Sequence, residues 1–225
     1  MNLRLLQDHI TAFAGHLAAG DLSELVAWES QRIFQENWDL DAEDLHSMFD
    51  RSLDNSQSRR LWKSEGFSPK QRMLEFIELQ PDLVRIMFRD LYQQEKDLEG
   101  RIDRFLFYCD ELMAAYRETH PRTVENNHYH GDYRMIALYL AFRYPDQYAL
   151  YDFESFRQTL RRLKSAQIPE THDLPRFTKV MRTIYQFLQK EEGLLEAHYR
   201  RLDPERHFMG NSLLLSLEFT RFCAR

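Results

Sequence analysis

Residues 3–20, LRLLQDHITAFAGHLAAG, decide the fold class: Leu6, Ile10, Phe13 and Leu17 recur every three or four residues and draw one apolar stripe along a helix. Gly20 follows the stripe where a helix C-terminal cap belongs. Working outward, Asp21-Leu22-Ser23-Glu24 sets an acceptor three residues ahead of a glutamate, so the spacing predicts a capped second helix running to about Trp38. A third, shorter helix is expected after Asp41. Ser68-Pro69 and Gln80-Pro81 place proline where a first helical residue tolerates it, which predicts helix starts there. Residues 54–67 are expected to be irregular. Val84, Met87, Phe88 and Leu91, then Leu98, Ile102, Phe105, Leu112 and Tyr116, read as two consecutive helices or one kinked one. After a loop at 119–131, helical patterns resume over 133–144, around Phe153 to Leu163, along one long helix from Phe177 to Leu195, and from Ser212 to the end. The sum is an all-α chain, an irregular multi-helix bundle of roughly eight to ten helices with no regular repeat. It is expected to be a single helical domain over 1–225, with a sub-boundary at the 119–131 loop.

Composition agrees with that reading. Seven glycines and seven prolines in 225 residues starve β-turns of their usual residues, and 43 % apolar content suffices for a large core. The N-terminus, Met1-Asn2-Leu3-Arg4-Leu5-Leu6-Gln7-Asp8-His9, is too polar for a signal-peptide core, and no stretch approaches about 18 consecutive apolar residues. No membrane partner is therefore expected. Cys109 and Cys223 stand far apart inside apolar helical patterns with no CxxC pair, which suits a reducing cytoplasm. The final segment stops on an apolar helical pattern, as a domain cut from a longer chain would, although a docked C-terminal helix would read the same.

Charge is uneven. Residues 1–133 hold 25 acidic against 15 basic side chains, whereas 134–201 hold 12 basic against 8 acidic. Arginine outnumbers lysine 24 to 6, a bias that suits bidentate contacts with phosphate or carboxylate and equally follows from a GC-rich genome. Between 157 and 182, Arg157, Arg161, Arg162, Lys164, Arg176, Lys179 and Arg182 face only Glu170 and Asp173. Such a run could track a phosphate backbone, or form a solvated basic face. Upstream, Tyr144-Pro145-Asp146-Gln147-Tyr148 makes an aromatic turn beside Arg134 and Arg143, either a platform for a nucleobase or a packed helix junction.

Catalytic signatures are missing. Gly15 and Gly20 have phosphate-loop spacing but are followed by Asp21-Leu22 rather than lysine and a hydroxyl; HExxH, GxSxG and a Cys/His zinc framework do not occur. Neither Pro81-Asp82 nor Pro145-Asp146 leads into the Glu-x-Lys of a metal-dependent nuclease. His128, His130 and Asp132 alternate, so an extended segment would aim all three at one metal ion, while a loop leading into a helix capped by Asp132 explains them as well. No catalytic residue and no cofactor is expected.

The span 126–152, NNHYHGDYRMIALYLAFRYPDQYALYD, resembles the N-terminal regions of McrB-like bacterial AAA-type restriction ATPases, where a histidine- and tyrosine-rich entry precedes a helix and a Tyr-Pro turn. Phe34-Gln35-Glu36-Asn37-Trp38-Asp39 and the stretch 85–105 are similar to the same region. The resemblance implies a cytoplasmic, anti-phage recognition module that contacts DNA or a partner while an AAA-type motor and a nuclease act elsewhere. Nucleotide hydrolysis maps to no residue here. Arg134, Arg143, Tyr148, Arg157, Arg161, Arg162, Lys164, Arg176 and Lys179 are the expected contact residues. The alternative is a stand-alone helical scaffold for protein partners, in which the acidic first half and the tyrosine-rich turn supply the interface.

Overall fold

The computed structural model describes residues 1–20, 22–54, 59–62, 68–123, 129 and 133–225, without the side chains of Arg60 and Trp62. Among these residues the chain is all-helical, with twelve helical segments, no strand and no regular repeat. They are α1 (Leu3–Ala18), α2 (Leu25–Asn37), α3 (Leu45–Ser52), α4 (Arg59–Trp62), α5 (Pro69–Leu79), α6 (Pro81–Leu91), α7 (Leu98–Thr119), α8 (Arg134–Arg143), α9 (Phe153–Arg162), α10 (Leu174–Leu188), α11 (Glu192–Arg200) and α12 (Leu214–Ala224). None is long and apolar enough to cross a membrane.

Local chemistry starts most of them. Side chains of Asn2, Asp44, Asp97, Asp152 and Asp173 accept backbone N–H groups of the first turns of α1, α3, α7, α9 and α10, at 2.7 to 3.2 Å. Each such cap is worth about 1 kcal/mol. Pro69 and Pro81 open α5 and α6 as their positions predict.

Three expectations are corrected. Helix α2 begins at Leu25, after Glu24, whose carboxylate pairs with Arg221 and Arg225; Asp21, the expected cap, lies outside the described residues. The expected long helix from Phe177 to Leu195 is two, α10 and α11. Its stripe of Met181, Ile184 and Leu188 reaches Glu191 and Glu192 where the next apolar residue is due, and Gly193 adds a poor helix former. Part of the stretch expected to be irregular holds the single turn α4.

The chain divides into two compact units, with the divisions falling inside α2 and α8. Unit 1 is Met1–Arg32 with Ala137–Arg225, and unit 2 is Ile33–Ile136. Unit 1 is organised by α12, which packs on α9, α10 and α1, while α1 also lies along α11. Phe13 of α1 meets Phe219 and Phe222 of α12 at 5.6 and 5.4 Å, and Phe156 of α9 meets Phe177 of α10 edge-on at 5.3 Å.

In unit 2, α6 packs on α7, and α5 on α3, α6 and α7. Its core is aromatic: Phe88 touches Trp38, Phe49, Tyr92 and Phe105 at ring separations between 5.0 and 6.2 Å. Tyr129, also buried, donates its hydroxyl to the Pro69 carbonyl at 2.9 Å. Removing the Phe88 ring strands four aromatic neighbours around a cavity. We expect Phe88→Ala to lose about 3–5 kcal/mol of stability, read as an earlier urea midpoint in far-UV circular dichroism.

Candidate functional site

The basic run of the sequence lies on α9, the turn after it and α10 of unit 1. Helix α9 buries Phe156, Thr159 and Leu160 and turns its arginines outward. Arg157 is held by Glu154 at 3.4 Å and lies over the Phe153 ring at 5.3 Å, so it is committed within the fold. Arg161 and Arg162 occupy the last turn and are exposed, as is Lys164 just beyond it. Cations there also complement the negative end of the helix dipole, by a few tenths of a kcal/mol to about 1.

Beyond α9 the chain turns back through Ser165 and Gln167 to α10, and a groove of about 700 Å³ opens between them. Leu160, Pro175 and Val180 give it apolar lining; Arg176 and Lys179 give it positive charge, against Asp173. Met1 also lines it, brought there because the Asn2 N–H donates to the Leu163 carbonyl at 2.8 Å. Arg176 donates to the Gln167 carbonyl at 2.5 Å and so fixes the wall. Lys179 is exposed. The side chains of Arg161, Arg162, Lys164 and Lys179 form no hydrogen bond or ion pair with any described residue. Lys179 lines this concave, half-apolar surface, and Arg161, Arg162 and Lys164 follow Leu160 of its wall at the end of α9.

The remaining expected contact residues lie differently. Arg134 belongs to unit 2. Arg143 is exposed and stacks over Tyr144 at 5.2 Å. Tyr148 is 5 % exposed, with Arg182 over its ring at 5.2 Å and that arginine donating to the Gln147 carbonyl at 2.7 Å. At this turn the tyrosine packs a helix junction, and its ring is not offered as a stacking platform. His128, His130 and Asp132 lie outside the described residues. Among the described residues no three His, Cys, Asp or Glu side chains are grouped to hold a metal ion. The thiols of Cys109 and Cys223 are buried, which raises the first well above its ordinary value and pushes the second up to about 12, so neither is a nucleophile near neutrality.

Unit 1 also holds a buried polar cluster that local sequence patterns barely signal. Glu218 of α12, 5 % exposed, accepts Trp28 Nε1–H at 2.5 Å on one oxygen and Arg201 at 2.5 Å on the other. Arg201 also reaches His198 Nδ1 at 3.0 Å, and His198 packs against Trp28 at 4.6 Å. The single available signal was a carboxylate set in the apolar run Leu213 to Phe219. Burial and Arg201 drive His198 down to about 3; burial pushes the Glu218 carboxyl up, with Arg201 and Trp28 pulling against it. The cluster lies in the core, where it ties α2, the end of α11 and α12 together.

Comparison with protein-family models, with curated proteins and with solved structures finds no match to this chain.

The pH behaviour follows from His198. The unfolded chain takes up a proton near pH 6.5, whereas the folded imidazole stays neutral down to about 3, so between those values the unfolded state binds more protons and stability rises with pH. Glu218 acts oppositely: it holds its proton to higher pH when folded, and its contribution declines as pH rises above 4.5. We expect His198→Gln to flatten the acid limb between pH 6.5 and 4.5, by up to about 1.4 kcal/mol per pH unit, in urea midpoints measured across that window.

Proposed function

We propose that this chain is a non-catalytic recognition module that holds the phosphate backbone of DNA on the cationic end of unit 1. The observation that carries the reading is the set Arg161, Arg162 and Lys164 at the end of α9 and Lys179 in the adjoining groove, all exposed and without carboxylate partners among the described residues. Three other arginines of unit 1 are paired with carboxylates: Arg221 with Glu24 and Asp152, Arg201 with Glu218, and Arg200 with Glu196. Phosphates placed at the uncommitted four release condensed counterions, which drives binding independently of sequence. Guanidinium groups add bidentate geometry.

The resemblance of 126–152 to McrB-like restriction ATPases extends this reading to a biological setting. In it, the module delivers DNA to an AAA-type motor and a nuclease carried elsewhere, in the cytoplasm, as part of anti-phage defence. Its own contribution is binding.

A second reading, a helical scaffold for a protein partner, draws on unit 2. That unit carries 21 acidic against 14 basic residues and exposes Ile86 of α6 (47 %) and Phe107 of α7 (59 %), whereas unit 1 is balanced at 15 against 16. Retention of a partner protein with no DNA retention at low salt would favour it.

The test is a salt titration of duplex DNA binding by fluorescence anisotropy. Replacing Arg161, Arg162 and Lys179 together with glutamine is expected to weaken binding about 10- to 100-fold at low salt and to reduce the slope of log K against log salt by up to about 2.7. Arg200→Gln, whose partner Glu196 lies one turn away on α11, is expected to leave both unchanged. Equal affinity of the triple variant and the parent removes the reading.

A further inference from the structure

Helices α1 and α9 are each followed by a residue of positive φ, glycine in the first and lysine in the second. After α1, Gly20 adopts φ +85° and donates its N–H to the Leu17 carbonyl at 3.0 Å. After α9, Lys164 adopts φ +48°, donates its N–H to the Arg161 carbonyl at 3.0 Å, and is followed by Ser165 donating to the Leu160 carbonyl at 2.9 Å. This is the doubly hydrogen-bonded helix ending in which the left-handed residue is ordinarily glycine, because any Cβ crowds the following carbonyl. Among the described residues Lys164 is the one non-glycine with positive φ.

Lysine is thus kept where glycine would cost less, and its side chain returns nothing to the fold. It is exposed, with no hydrogen bond or ion pair to any described residue. Strain retained without a structural return marks a site where the side chain acts outside the molecule. Lys164 stands just beyond the last turn of α9, which carries the exposed Arg161 and Arg162, and is followed directly by Ser165, which lines the groove.

Resting on the anion-binding reading of this face, we propose that Lys164 is a backbone-phosphate contact residue, held in a strained left-handed conformation that extends the α9 cations onto the rim of the groove. Its partner is a phosphodiester of the bound nucleic acid, which a mobile ammonium can meet without demanding bidentate geometry.

Four proteins separate the outcomes: the parent, Lys164→Gly, Lys164→Arg, and the triple glutamine variant of Arg161, Arg162 and Lys179. Each is measured by thermal unfolding and by salt-dependent anisotropy with one labelled DNA duplex. Lys164→Gly is expected to melt about 2 °C higher, to bind about three- to tenfold more weakly at low salt, and to lose about one from the salt slope. Lys164→Arg, which keeps the charge and the strain, is expected to bind like the parent. A glycine variant of unchanged affinity and slope, alongside a triple variant that loses binding, overturns the role of Lys164 and leaves the face intact. A triple variant that binds like the parent overturns the face itself. A glycine variant that melts no higher removes the premise of strain.

Discussion

Unit 1 depends on burying one helix from every side. Leu214, Leu215, Leu217, Phe219 and Cys223 of α12 are all buried, and so are Ser216, Glu218 and Thr220, so this segment meets protein around most of its circumference. A helix in that position cannot leave a carboxylate unanswered, since an isolated charge in the interior would cost several kcal/mol. Glu218 is answered by Trp28 from α2 and by Arg201 from the end of α11, and Thr159 of α9 donates its hydroxyl to the Thr220 carbonyl at 2.8 Å. The apolar contacts bring these segments together. The polar ones require that they meet in one register.

That register has a consequence at the far end of the unit. Because α9 lies along α12 and α10 packs on it as well, the C-terminus of α9 and the start of α10 are held close enough to frame a groove. Arg221 reinforces the arrangement by pairing with Asp152, the cap of α9, and with Glu24 before α2. The arginines near the core are thereby consumed in holding helices, while Arg161 and Arg162 on the last turn of α9 form no ion pair with any described residue.

Much of the architecture was legible from local chemistry. The stripe of Leu6, Ile10, Phe13 and Leu17 forms α1 and is fully buried, and the prolines at 69 and 81 open helices as their spacing implies. Other contacts join distant residues: Glu24, set in a local cap pattern, reaches Arg221 across nearly the whole sequence. The basic run likewise looked uniform. Arg157, Arg176 and Arg182 are occupied by Glu154, Gln167 and Gln147, and only the fold distinguishes them from Arg161, Arg162, Lys164 and Lys179. Tyr148 shows the same limit, because whether an aromatic ring stacks on a ligand or packs inside depends on what covers it.

By itself, the sequence determined that the chain is helical, where most helices begin, and which faces are apolar. Those properties arise from interactions within a few residues, namely the 3.6-residue period, side-chain caps and the fixed φ of proline. Only the tertiary structure decided which charges are satisfied, that Met1 and Lys179 line the same groove, and that lysine occupies a left-handed turn. Those outcomes depend on segments far apart in the chain competing for the same partners, and no local pattern records who wins.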